Sequence, residues 1–234
     1  MPTLLITGAN RGLGLGLAGA YLADGWKVIA LNRQHSDGLR ALACDDLDVL
    51  TCDLTDDGQL AGVADRLSGR TIDVLVNNAG RMAKRSTAPG GESVQGFGHF
   101  DRGLWRAVFD INLFTPMRLC ELLVENVARA ENGRMVTISS MLGSMALNES
   151  GGIYAYRASK AGVNAIMKSM SIDLRDRGIT AVALHPGWVR TDMGGRGADL
   201  DIETSVAGMK RVIDGLDARD SGRLLSWDGT EMPW

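Results

Sequence analysis

A phenol and an ammonium stand four residues apart in Tyr156-Arg157-Ala158-Ser159-Lys160. On a helix that spacing is a rotation of about 400°, which places both groups on one face within reach of each other. A tyrosine with its ordinary pKa of about 10 exchanges protons poorly at neutral pH. Bringing it to about 7 takes roughly 4 kcal/mol of preferential stabilisation of the phenolate. A cation about 4 Å away, at an effective dielectric of about 20, supplies energy of that order. Lys160 is therefore expected to lower the Tyr156 pKa and make the pair a general acid/base. Taken alone, a Tyr-x-x-x-Lys is most often an ordinary helix surface, so its meaning rests on what the chain places beside it. Tyr154 lies six residues from Lys160, is rotated about 240° away, and is expected to be packing or substrate wall.

The second candidate is Thr7-Gly8-Ala9-Asn10-Arg11-Gly12-Leu13-Gly14, which follows an apolar run and opens a helical pattern. Gly8, Gly12 and Gly14 permit a tight turn and close approach of backbone to a pyrophosphate, which the following helix meets with free N–H groups and its positive end. The spacing is G-x-x-x-G-x-G, placed between a first strand and a first helix as a dinucleotide site requires. The next apolar run ends in Asn32-Arg33. A carboxylate there would accept from a free 2′-hydroxyl and repel a 2′-phosphate. Arg33 instead offers a fork to a phosphate, and Arg11 a second cation. The expected cofactor is NADP(H) in preference to NAD(H).

These groups need a frame, and the apolar pattern provides one. Strand-like runs cover Thr3 to Thr7, Lys27 to Leu31, Asp48 to Cys52, Ile72 to Val76, Met135 to Ser139, Thr180 to Leu184 and Gly222 to Ser226. Between them lie stretches with apolar residues three and four apart, among them Leu13 to Ala23, Leu60 to Leu67, Ile111 to Ala130 and Tyr154 to Arg175. Strands that are apolar throughout belong to a parallel sheet covered on both faces. The expected fold is a single-domain α/β Rossmann-type sandwich over residues 1–234, doubly wound, with about seven strands. Two glycine- and charge-rich segments, 81 to 103 and 192 to 201, follow strands at the carboxyl edge, where such sheets bind ligands.

With these pieces in order the chain resembles the short-chain dehydrogenase/reductase family over essentially its whole length. The motifs are the glycine turn at 8 to 14, Asp53-Leu54-Thr55, Asn77-Asn78-Ala79-Gly80, Asn112, Ser139-Ser140, Tyr156 with Lys160, and Pro186-Gly187-Trp188-Val189-Arg190-Thr191. Asn148 to Arg157, the His185 to Val189 run and the final Pro-Trp are similar to the C-factor and sniffer-like carbonyl reductase branch.

The resemblance implies a role for each matched position. Asp53 would accept from the adenine amino group, beside Leu54, and Asn77 with the Ala79-Gly80 backbone would line the adenosine side. Asn10 and Leu13 complete the glycine turn. Pro186, Gly187 and Val189 would meet the nicotinamide amide, with the Thr191 hydroxyl also on the cofactor. Tyr156 would donate a proton to a carbonyl oxygen, Ser140 would hydrogen-bond the same oxygen, and Lys160 would also hold the nicotinamide ribose. Asn112 would hold a water linking Lys160 to solvent.

One departure stands out. The family usually sets its serine thirteen residues before the tyrosine, a position occupied here by Gly143. Ser140 lies sixteen before and Ser144 twelve before. Extra residues around Asn148 to Gly152 would lengthen the gap and leave Ser140 in the role, with Ser144 or Ser139 as alternatives.

The remaining features narrow the class. The 234 residues carry a net charge of −3, which argues against nucleic acid or an anionic membrane as principal partner. No run of 18 apolar residues and no signal peptide is evident, and three cysteines without metal spacing fit a reduced cytoplasmic chain with small buried thiols. No metal is expected. His185 is expected to be structural, and Asp199, Asp201 and Glu203 to open a helix. Met141, Leu142, Met145, Trp188 and Met193 are candidates for an apolar substrate wall. Together these imply reduction of a small to medium apolar aldehyde or ketone, or the reverse alcohol oxidation. The alternative is a cofactor-binding signalling protein of the C-factor type. A homodimer or homotetramer through the helices at 112 to 130 and 154 to 175, or a monomer, is compatible with the family.

Overall fold

The computed structural model describes residues 1–82 and 96–234. Its centre is one eight-stranded sheet in the order β3-β2-β1-β4-β5-β6-β7-β8. The strands are β1 (Thr3–Thr7), β2 (Lys27–Asn32), β3 (Leu47–Thr51), β4 (Val74–Asn77), β5 (Gly133–Ile138), β6 (Ile179–His185), β7 (Leu224–Ser226) and β8 (Glu231–Met232). The first seven are parallel. The chain supplies one strand more than expected. β8 pairs antiparallel with β7, Leu225 opposite Glu231, and at two residues it is too short to leave an apolar run in the sequence.

The strands are mostly apolar because each face of the sheet has its own core. Leu5 joins Leu60, Leu119, Leu123 and Met167 on one side, from α3 (Asp57–Arg66), α5 (Thr115–Val127) and α6 (Tyr154–Asp173). Its neighbours Leu4 and Ile6 turn to the other side, against Leu17, Tyr21, Leu39 and Met209 of α1 (Gly12–Ala23), α2 (Asp37–Ala41) and α7 (Ile202–Gly215). Full burial of each such side chain is worth about 1.5–3 kcal/mol. The strand order reverses between β1 and β4, so the crevice above their carboxyl ends is where a ligand is expected to bind.

Further expectations meet their outcome here. Asp201 does open a helix, its carboxylate accepting from Thr204 N–H at 2.8 Å to cap α7. Of the segment read as irregular from 81 to 103, residues 83–95 lie outside the described part. The helical pattern resumes earlier than Ile111, as α4 (Arg102–Phe109), capped by Asp101. It runs into α5 through a π-helical turn at Asp110–Phe114. Cys52 and Cys120 are buried as expected, whereas Cys44 is exposed. No helix among the described residues is long and apolar enough to cross a membrane.

Candidate active site

Helix α6 brings Tyr156 and Lys160 to one buried face, 7% and 4% exposed. The Lys160 ammonium donates to the Ile138 carbonyl at the end of β5 at 2.7 Å and stands 5.7 Å from the centre of the Tyr156 ring. The expected lowering of the Tyr156 pKa by Lys160 is not what these contacts produce. Burial pushes the phenol up, to about 12, and the hydrogen bond with Ser140 is the opposing influence. Burial pushes Lys160 down, to about 8. Desolvation disfavours the charged form of each group, and here it is the leading influence on both.

Three serines were candidates beside Tyr156, and the structure separates them. Ser140 is the side chain that acts on the Tyr156 phenol, lowering its pKa against burial, and its Oγ accepts from Leu142 N–H at 3.1 Å, opening a 3₁₀ turn at Met141–Gly143. Ser139 is turned into the core, where it donates to Asn164 Oδ1 at 2.5 Å. Ser144 accepts from Leu147 N–H at 3.2 Å and holds the following loop. The longer gap to the tyrosine is taken up by a loop ending in three left-handed residues, Gly151, Gly152 and Ile153, with φ of 61°, 64° and 50°. Arg157 braces this loop, donating to Gly151 O at 3.2 Å and Ser150 Oγ at 2.8 Å.

Asn112 is fully buried in the π-helical turn. Its Oδ1 accepts from Arg81 N–H at 2.7 Å, and its Nδ2 donates to Arg81 O at 2.9 Å and to Ser159 Oγ at 3.0 Å. Ser159 in turn donates to the Tyr156 carbonyl at 2.8 Å. A side chain on Gly80 would stand 3.4 Å from Asn112 Oδ1 and 3.8 Å from Lys160 Nζ, so the chain leaving β4 lies directly against both. π-Helical turns concentrate at functional sites because they re-aim one side chain without ending the helix.

The glycine turn forms a cradle that has no room for side chains. Gly8 has a φ of +68° and abuts Ala79, and a Cβ on Gly14 would stand 2.3 Å from the Gly8 carbonyl. Thr7 Oγ1 accepts from the N–H groups of Asn78 and Ala79 at 3.0 and 2.9 Å, locking the exits of β1 and β4 together. Helix α1 begins at Gly12 with no side-chain cap, which leaves its first N–H groups for an anion. At the end of β2, Asn32 is 3% exposed and neither its Oδ1 nor its Nδ2 has a protein partner. Such a buried orphan calls for a ligand. Arg33 beside it is exposed. Asp53 has its carboxyl held below the usual range by the Thr55 N–H and hydroxyl, with Arg33 contributing.

Two of the expected cofactor positions, Asn77 and Leu54, are buried. Asn77 is buried and turns its amide into the sheet toward Thr137 Oγ1 and Cys120 Sγ, each at 3.4 Å. Leu54 is buried and contributes its carbonyl, which accepts from Thr115 Oγ1 at 2.6 Å. On the opposite wall, Gly187 takes a φ of +84° against Leu200, Pro186 O accepts from Ser205 Oγ at 2.6 Å, and Val189 is bridged to Leu200. Thr191 accepts from Gly194 N–H at 3.1 Å. This segment reaches the glycine turn, where Asp192 forms an exposed ion pair with Arg11.

Met141, Met145, Trp188 and Met193 are exposed rather than packed in a core. Tyr154 faces away from Lys160, lining with Phe97, Phe100, Leu104 and Trp105 a recess of about 240 Å³. His185 is mostly buried at the end of β6, and burial pushes its imidazole down to about 4. Asn164 and Ser159, which bear on the site only through hydrogen bonds, carry no signal of their own in the sequence, and Arg157 enters there only as the last residue of the Asn148 to Arg157 stretch.

Residues 2–199 match the family described as short chain dehydrogenase. The C-signal protein of Myxococcus xanthus is 42% identical over 163 residues, covering 70% of this chain and 93% of that protein. Among solved structures, the carbonyl reductase Sniffer of D. melanogaster superposes with a TM-score of 0.89 at 32% identity, covering 100% of both chains. A carbonyl reductase from Pseudomonas aeruginosa PAO1 in complex with NADP gives 0.85 at 34% identity, again over 100% of both.

Proposed function

Because the chain belongs to the short chain dehydrogenase family, we propose that it is an NADPH-dependent carbonyl reductase, acting on a small to medium apolar aldehyde or ketone or on the corresponding alcohol. The observation that carries this reading is the convergence of Ser140, Tyr156 and Lys160 at the carboxyl end of β5, with Asn112 and Gly80 against Lys160. A module that only bound a nucleotide would have no use for a buried hydroxyl pair beside a buried ammonium.

Tyr156 keeps its proton at neutral pH because burial raises its pKa, which suits a group that donates to a carbonyl oxygen. Ser140 Oγ, beside that phenol, donates to the same oxygen as negative charge develops on it. Lys160 carries its charge at neutral pH, since about 8 lies above it, and this charge stabilises the phenolate that forms when the proton leaves. Asn112 ties Arg81 to Ser159 and so fixes the gap between the chain leaving β4 and helix α6. The nicotinamide, when bound, supplies the hydride.

The cradle fits that cofactor. The uncapped start of α1 at Gly12 leaves backbone N–H groups for the diphosphate, Asn32 brings an unpaired amide to the ribose end, and Arg33 and Arg11 bring the charge that a 2′-phosphate needs. Asp53 would take the adenine, and Gly187, Val189 and Thr191 the amide end. The nucleotide-bound Pseudomonas neighbour supports the preference for NADP.

A second reading, a signalling protein on the same scaffold, is favoured by the likeness to the C-signal protein. A panel of aldehydes and ketones with NADPH and with NADH, on wild type and Tyr156→Phe, separates the two. Turnover with NADPH that disappears in Tyr156→Phe is the expected result. NADPH binding without turnover of any substrate would favour signalling, and a tenfold preference for NADH would overturn the cofactor assignment.

A further inference from the structure

The turn that carries Ser140 is gripped at both ends by one side chain. Asn164 lies four residues beyond Lys160 and eight beyond Tyr156, on the inward face of α6. It is 3% exposed. Its Oδ1 accepts from the Ser139 hydroxyl at 2.5 Å, and its Nδ2 donates to the Gly143 carbonyl at 3.4 Å. A carbonyl can only accept, so Gly143 fixes which way the amide faces and leaves the oxygen for Ser139. Ser140 sits between these two anchors, and Gly143 N–H closes the turn on Ser140 O at 2.9 Å.

We propose that Asn164 is a positioning residue for the reaction: it sets where Ser140 Oγ stands relative to the Tyr156 hydroxyl. The inference rests on the reading of Ser140 and Tyr156 as the proton-handling pair. The sheet already fixes Ser139 through its N–H, which donates to Leu184 O at 2.8 Å. Asn164 adds the link from that point to the helix that bears Tyr156, so the two hydroxyls are referenced to each other rather than to separate layers. Misplacement of a reacting group by about 1 Å can cost up to roughly 100-fold in rate.

The chain has three tyrosines, so ring-labelled tyrosine NMR resolves Tyr156, assigned by its loss in Tyr156→Phe. The expected result is that Ser140→Ala moves the Tyr156 signal, that Asn164→Ala moves it in the same direction, and that Asn164→Ala adds nothing in a Ser140→Ala background. In carbonyl reduction, Asn164→Ala is expected to lower kcat by about tenfold or more with KM for NADPH unchanged, again with no further loss in the Ser140→Ala background. Ser139→Ala, which frees the other anchor, is expected to act in the same direction. Asn164→Leu, similar in volume, serves if the alanine variant does not fold. A Tyr156 signal unmoved in Asn164→Ala, or an equal loss of kcat with and without Ser140, would overturn the assignment. Wild-type protein that turns over no substrate would sink the reductase reading instead, while the NMR comparison still decides the role of Asn164.

Discussion

Gly143 lies flush against Lys160: a methyl group on Gly143 would stand 2.9 Å from both the carbonyl carbon and the Cβ of Lys160. The position the family usually gives to its serine is thus closed to any side chain in this protein. Gly143→Ser is expected to destabilise the fold by about 1–3 kcal/mol, the usual cost of overpacking, read as a fall in the chemical-denaturation midpoint, without rescuing Ser140→Ala. In the same assay, Ser140→Ala is expected to cut kcat by about 10- to 1,000-fold, as loss of one oxyanion donor does, and Ser144→Ala far less. The reverse order would displace Ser140 from the proposed role.

The two nearby phenols separate as sharply. Tyr156→Phe is expected to lower kcat by about 100- to 10,000-fold, the range for loss of a general acid. Tyr154→Phe, altered on the far side of the helix in the aromatic recess, leaves kcat near wild type and changes at most KM for the substrate. Steady-state rates of NADPH oxidation measure both.

Arg11 is engaged by Asp192 across the mouth of the glycine turn. A phosphate that recruits Arg11 has to compete with this carboxylate. Exposed pairs are worth about 0.2–1 kcal/mol, so Asp192→Asn is expected to tighten NADPH by up to about fivefold while leaving NADH unchanged. Fluorescence titration with both nucleotides checks it, and equal tightening of the two would dissociate Arg11 from the 2′-phosphate.

His185 sets an acid limit on stability. Its folded pKa is about 4 against an ordinary 6.5, so between these values the unfolded chain binds the proton and the native one does not. Stability therefore rises with pH across this window and is lost as pH falls from 6.5 toward 4, by roughly 3 kcal/mol at most. Urea midpoints for His185→Gln are expected to vary less over pH 4 to 6.5 than those of wild type. Parallel curves would assign the acid lability to other groups.

Most of the frame was legible because seven strands are dominated by apolar residues, as burial between two helical layers demands. β8 was not, since two residues such as Glu231 and Met232 carry no pattern. Asn112 and Ser140 were legible only through the family resemblance, whereas Tyr156 and Lys160 were legible as a pair from type and spacing. The balance between them was not, because it depends on how much water remains at the site: burial raises the phenol and lowers the ammonium against what charge pairing alone predicts. The unpaired amide of Asn32 and the double grip of Asn164 were also invisible, as both are properties of partners from distant parts of the chain.

The π-helical turn at Asp110–Phe114 makes this site vulnerable to a kind of mutation that substitution experiments do not sample. Its one surplus residue offsets the phases of α4 and α5 by about 100°. Removing a single residue from the turn would join α4 and α5 in α-helical phase, broken only at Pro116, which has no N–H to donate, and the two halves could no longer both face inward. Either Asn112 would swing away from Arg81 and Ser159, or Val108, fully buried on α4, would leave its packing. A deletion that a helix would normally absorb thus forces a choice between the site and the core.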